Sequence, residues 1–200
     1  MGWAALACLA CGAAPEPDAR ERPAAGAEPR APSSALVDLD GRVVDPFAPD
    51  GRATLLVFVR TDCPISNRYA PKLARIGEQF ADAAVDLFLV YVDVDEGPAQ
   101  IRTHIAEYRL PGSALRDPGQ RLAAAGQIAV TPEVALFDAD GRLRYHGRID
   151  DGWVDYGKPR AAPQTDELVD ALTAVLAGEA PAVAHAAGVG CPLPPLPEAG

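Results

Sequence analysis

Thr54-Leu-Leu-Val-Phe-Val-Arg-Thr-Asp-Cys-Pro-Ile-Ser-Asn-Arg-Tyr69 is the stretch that decides how the rest of this chain is read. From Thr54 to Arg60 nearly every residue is apolar or β-branched, the mark of a strand buried on both faces. After the link Thr61-Asp62 come Cys63 and Pro64, and the period changes. Ile65, Tyr69, Leu73, Ile76 and Phe80 recur at steps of three and four, which is one face of a helix. Proline suits the first helical position, where its missing N–H has no partner to lose. Cys63 therefore falls where a buried strand ends and a helix begins. A helix N-terminus offers unpaired N–H groups and a partial positive charge, and both favour thiolate, the reactive form of cysteine. Asp62 opposes this with its negative charge.

Outward from that junction the elements alternate. Leu36-Val-Asp38 and Val43-Val44 flank Leu39-Asp-Gly-Arg42, a hairpin with an Asp-Gly turn. The helix runs from Pro64 to about Ala81. Val85 to Val92 is a second apolar strand, so strand, helix and strand form a βαβ unit in a parallel sheet. A second helix spans Pro98 to Arg109, with Ile101, Ile105 and Tyr108 inward, and Leu115 to Gly126 reads as a short extended piece and a short helix. Val130-Thr131-Pro132 then leads into a β-hairpin, Val134–Phe137 and Leu143–Ile149, turning through Asp138-Ala-Asp-Gly141. Asp151 to Pro163 reads as a loop. A last helix is capped by Thr165, turns Leu168, Leu172, Val175 and Leu176 inward, and stops at Gly178. The fold class is α/β: a central mixed sheet flanked by helices, with an N-terminal hairpin.

The 200 residues carry 28 acids against 18 bases, a net charge of −10, which suits neither nucleic acid nor an anionic membrane surface. Residues 35–177 form the folded domain. Residues 13–34 are alanine, proline and charge without period and read as a disordered linker. Residues 178–200 form a Pro/Gly-rich tail containing Cys191. Residues 1–12 are a short apolar segment, too short to span a bilayer. Its Leu9-Ala10-Cys11-Gly12 resembles part of a bacterial lipobox, although Cys8 replaces the usual leucine and no basic residue precedes it. Three readings stand: a lipid anchor at Cys11, a cleaved secretion signal, or a plain apolar start. The first two place the protein outside the cytosol, in the periplasm or cell envelope.

With these landmarks in place, residues 35–177 resemble the redoxin (alkyl hydroperoxide reductase/thiol-specific antioxidant type) branch of the thioredoxin-like superfamily. Asp62-Cys-Pro-Ile-Ser66 after the central strand, Thr131-Pro132 before the hairpin and Tyr145-His-Gly-Arg-Ile-Asp150 after its turn carry the resemblance. The run Asp62 to Pro71 also resembles a bacterial redoxin group with a Gly-Cys near its C-terminus. The resemblance implies a thioredoxin-like fold, Cys63 as nucleophile, and a cis peptide at Thr131-Pro132 facing it. It implies no cofactor. The partners it implies are protein thiols or disulfides, or a peroxide, together with a thiol reductant. The departures are specific. Thioredoxins place a second cysteine where Ser66 stands, and copper-delivering relatives place one at Asn67. Typical peroxiredoxins have threonine and proline at the positions of Arg60 and Leu56.

Ser66 cannot form a disulfide, so a second thiol must come from elsewhere. Cys191 either resolves Cys63, or forms a static bond with it as extracytoplasmic proteins allow, or stays free or pairs in trans. Arg60 or Arg68 is placed to stabilise the thiolate. The bland readings are a buried structural cysteine at position 63 and a non-catalytic, membrane-anchored binding module. His104, on an exposed or partly covered helix face, forms no metal-ligand spacing with His146 and His185, and His185 with Cys191 is a weak metal pair. Asp93, Asp95 and Glu96 read as a solvated acidic loop, and Arg148, Asp150 and Arg160 as a surface ion-pair network.

Overall fold

In the computed structural model, which describes Met1 and residues 36–196, four helices pack on a mixed eight-stranded sheet. The lipobox-like segment with Cys8 and Cys11 and the linker to residue 34 lie outside the described residues. The strands are β1 (Leu36–Asp38), β2 (Val43–Val44), β3 (Ala53–Val59), β4 (Val85–Tyr91), β5 (Ser113–Arg116), β6 (Val130–Thr131), β7 (Glu133–Phe137), β8 (Leu143–Gly147), β9 (Trp153–Asp155), β10 (Lys158–Pro159), β11 (His185–Ala186) and β12 (Cys191–Pro192). The helices are α1 (Pro64–Gln79), α2 (Pro98–Tyr108), α3 (Arg121–Ala125) and α4 (Glu167–Leu176). The sheet order is β11-β8-β7-β3-β4-β5-β1-β2. The strands β3, β4 and β5 run parallel, while β7 and β8 return antiparallel on the other flank of β3.

Every residue of β3 is buried, and its alternation divides the core in two. Leu55, Val57 and Val59 face the layer built from Ile65, Tyr69, Leu73 and Ile76 of α1, Ile101 of α2, and Leu168 and Leu172 of α4. Leu56 and Phe58 face the opposite layer, with Leu122 and Ala123 of α3, Ile128 and Phe47. A strand read as one apolar run is thus a two-sided strand at the middle of the sheet, as its composition requires.

Several details differ from the sequence reading. The segment 151–163 holds the small hairpin β9–β10. Thr165 does not cap α4; Asp166 occupies the cap position without a side-chain bond, and the Thr165 hydroxyl donates to the Glu167 carboxylate instead. Within residues 178–196, β11 joins the sheet beside β8 in parallel, and β12 pairs antiparallel with β6 as a separate two-stranded sheet.

Candidate active site

The turn Arg60–Asp62 links β3 to α1, and Cys63 is the helix N-cap, with Pro64 at the first helical position. Cys63 is completely buried. Its Sγ accepts from the Ser66 backbone N–H at 3.5 Å, and as a thiol it donates to the Thr131 carbonyl at 3.2 Å. The Thr131–Pro132 peptide is cis. Across from it, Cys191 is in register with Thr131 in the β6–β12 pair, and its Sγ lies 2.6 Å from Cys63 Sγ. Four residues expected from sequence, Cys63, Thr131, Pro132 and Cys191, therefore meet at one point. The two thiols are free.

The electrostatics of the two sulfurs diverge. Burial pushes the Cys63 thiol up, but the Cys191 thiol, the adjacent Ser66 side chain and the Ser66 N–H outweigh it and leave Cys63 below the ordinary thiol value. The buried Ser66 hydroxyl has no hydrogen-bond partner among the described residues. Cys191 is pushed up to about 12 by burial, by the hydrogen bond it donates and by the charge on Cys63. The two shifts run in opposite directions, so Cys63 is the first of the pair to ionise.

Of the two candidate cations, Arg60 approaches the pair. Its guanidinium contacts Asp62 (2.9 Å) and Asp93 (3.4 Å), and donates to the Pro192 carbonyl beside Cys191. Arg68 instead stacks over the Trp153 ring. The charge of Asp62 is spent on Arg60 at the surface.

Behind the turn, three expectations are corrected. Glu96 is not solvated: it is 4% exposed, and its Oε1 accepts the Thr61 N–H at 2.6 Å. Burial raises its carboxyl above the usual range. His104 is also buried, because α2 packs beside Tyr91 and α1; its ring bonds the Tyr91 hydroxyl and the Asn67 side chain, both at 2.8 Å. With the Asn67 amide donating to the Thr61 carbonyl, the turn before Cys63 is held from both ends. Arg148, Asp150 and Arg160 do not pair with one another. Arg148 pairs with Glu167, Arg160 with Asp151, and the buried Asp150 with the Tyr69 hydroxyl and Lys72, each at 2.6 Å.

Sequence reasoning missed Glu133 and the glycines of the carboxy-terminal segment. Glu133 is 4% exposed at the head of β7, and its carboxylate accepts N–H bonds from Ala129, Val130 and Gly188. A Cβ on Gly190 would fall 2.1 Å from the Thr131 carbonyl oxygen. The available signal was an acid opening an otherwise apolar strand, Glu133-Val-Ala-Leu-Phe137, next to Thr-Pro. His185 lies not beside Cys191 but stacked on His146, with ring centroids 4.2 Å apart.

Comparison with known proteins gives the family and the fold. The family model described as Redoxin matches residues 23–156. The fold is similar to that of an uncharacterized conserved protein from Geobacillus kaustophilus, at 25% identity over 86% of this chain and 93% of that one, with a TM-score of 0.74. A hypothetical protein from Sinorhizobium meliloti is similar at 25% identity, over 83% and 92% of the two chains, with a TM-score of 0.69. A secreted disulfide oxidoreductase of Mycobacterium tuberculosis shares the fold at 19% identity, over 72% and 95%, with a TM-score of 0.51. No curated protein matches the chain.

Proposed function

The chain belongs to the redoxin family of thioredoxin-like oxidoreductases, and we propose that it is a thiol-disulfide oxidoreductase with Cys63 as nucleophile and Cys191 as its resolving thiol. The observation that carries this is the meeting of the two sulfurs at 2.6 Å beside Thr131, with Cys63 the more acidic of the pair. The Cys63 thiolate attacks one sulfur of a substrate disulfide. A Cys63–substrate disulfide forms, and the other substrate sulfur leaves as a thiolate. Cys191, on losing its proton to that leaving group, attacks Cys63 Sγ. The Cys63–Cys191 disulfide forms and the remaining substrate sulfur is released. The substrate gains two electrons, the cysteine pair loses two, and an external dithiol reductant restores it. The polar lining around the thiolate, Ser66 and the cis Thr131–Pro132 backbone, positions the sulfur rather than transferring protons.

The complete burial of Cys63 favours a second reading, in which the oxidant is a small peroxide. Attack on the O–O bond would give sulfenic acid at Cys63 and release an alcohol or water. Cys191 would then expel water to form the same disulfide. Titrating reduced protein with glutathione disulfide and, separately, with hydrogen peroxide tests the two. The exchange reading expects faster loss of the Cys63 and Cys191 thiols, followed residue by residue, with the disulfide, and no loss at Cys191 in Cys63→Ser. Faster loss with peroxide favours the second reading, and no loss with either would leave a binding module. An extracytoplasmic site of action belongs to the same proposal. It rests on the resemblance of Leu9-Ala10-Cys11-Gly12 to a lipobox; among the described residues no helix is long and apolar enough to cross a membrane.

A further inference from the structure

Cys191 reaches Cys63 from a segment that packs Ala186, Val189 and Leu193 at the edges of the two cores and is also tied by polar contacts. Residues 185–194 touch the domain through two short strand pairings, β11 on β8 and β12 on β6. Gln120 Nε2 donates to the Pro194 carbonyl at 2.7 Å, and the Leu193 N–H to Ala129 at 3.3 Å. Between the two pairings sits one buried carboxylate. Glu133 Oε1 accepts the Gly188 N–H at 2.9 Å; its Oε2 accepts the N–H groups of Ala129 at 2.8 Å and Val130 at 3.3 Å. Ala129 and Val130 lead directly into Thr131–Pro132, and Gly188 stands three residues before Cys191. A single side chain thus ties the two segments whose register, Cys191 opposite Thr131 and Pro192 opposite Val130, presents one sulfur to the other.

The close fit is built on both sides. A Cβ at Gly188 would meet Glu133 Cγ at 2.7 Å and Oε1 at 2.8 Å. At Gly147, where φ is +123°, it would meet the Ala186 carbonyl oxygen at 1.9 Å. The arm lies closer to the sheet than any side chain at these positions allows.

We propose that Glu133 is the positioning residue of the Cys63–Cys191 pair: a carboxylate latch that seats the carboxy-terminal arm against the cis-proline loop and so closes Cys63 from solvent. This rests on the exchange reading for its role in turnover, but the latch itself is independent of it. A charged acceptor is needed because three N–H groups converge on two oxygens. Glutamine at this place has the same shape but offers one acceptor oxygen and an NH2 that faces an N–H.

The test uses the full chain. In a Cys191→Ser background the Cys63–Cys191 disulfide cannot form, so alkylation of the buried Cys63 by iodoacetamide, read at that residue in protein kept reduced, reports opening of the arm alone. Glu133→Gln is expected to speed that alkylation about ten-fold, the loss of one charge-assisted hydrogen bond. With Cys191 present, the same substitution is expected to lower the Cys63–Cys191 equilibrium constant against glutathione by about the same factor, through a lower effective concentration of the second thiol. Gly188→Ala attacks the contact from the arm side, should act in the same direction, and decides the matter if Glu133→Gln fails to melt cooperatively. An alkylation rate within two-fold of its parent in the folded variants overturns the latch. Failure of the unsubstituted chain to form the Cys63–Cys191 disulfide would instead overturn the exchange reading and leave the alkylation result to judge the latch.

Discussion

At Cys63 a buried sulfur ionises more readily than an exposed one, against the usual effect of burial. The reason is local: the Ser66 N–H at the helix N-terminus and the Cys191 S–H donate to it, and the Ser66 side chain beside it favours the charged form. Removing either side chain should therefore raise the pH midpoint of Cys63 alkylation toward and past the ordinary thiol value. Ser66→Ala and Cys191→Ala are each expected to do so, and midpoints unchanged in both would assign the shift elsewhere. Glu96 works the other way. Its carboxyl is raised by burial, so the folded state holds its proton more tightly than the unfolded chain does. That contribution to stability is present below the unfolded value of about 4.3 and is lost as pH rises through the higher folded value. Glu96→Gln should flatten this fall in urea midpoint with pH, and a fall as steep as in the parent would show that another group causes it. Cys63 itself was legible from position alone, because strand, cysteine, proline and helix follow one another in the chain. Glu96 and His104 were not. Their partners, Thr61, Tyr91 and Asn67, come from other elements, and a single sequence does not pair a side chain with a distant backbone.

The elements followed their periodicity. The strand β3 and helix α1 carry strong, unmixed patterns, and they appear within a residue or two of where the pattern places them. What periodicity could not supply was the short pieces. The pairings β9–β10, β11–β8 and β12–β6 each involve two or three residues, too few for a period and made by backbone rather than by apolar side chains. That is why a Pro/Gly-rich composition read as a tail while the structure gives a strand along the sheet. A different device fixes α1 against the far end of the domain. The buried Asp150 carboxylate accepts the Tyr69 hydroxyl and Lys72 from α1 and the N–H of Gly152. Asp150→Ala leaves Lys72 half-buried without this partner and Tyr69 unsatisfied. It should cost about 3 kcal/mol, read as a lower urea midpoint with the slope unchanged. A change well under about 1 kcal/mol would place the bridge among weak surface pairs.

On the scale of the whole molecule, the chain is closed on itself. Cys63 and Cys191 are 128 positions apart, so a bond between them encloses most of the folded domain and removes much of the freedom of the unfolded chain. Oxidation is expected to stabilise the protein by about 2–4 kcal/mol, seen as a higher melting temperature that Cys191→Ser abolishes. An oxidised form that melts no higher than the reduced one would mean that the bond strains the native arrangement. The same closure gives the site its character: Cys63 is covered by the segment that carries Cys191, and on the proposed exchange reaction turnover requires that segment to move. The central claim, that Cys191 resolves Cys63, is tested most directly by mapping disulfides in the reduced full chain after brief treatment with one equivalent of glutathione disulfide. The account predicts a Cys63–Cys191 linkage, with transient glutathione on Cys63 that persists in Cys191→Ser. Stable glutathione on Cys63 with Cys191 still a free thiol in the unsubstituted chain would contradict it.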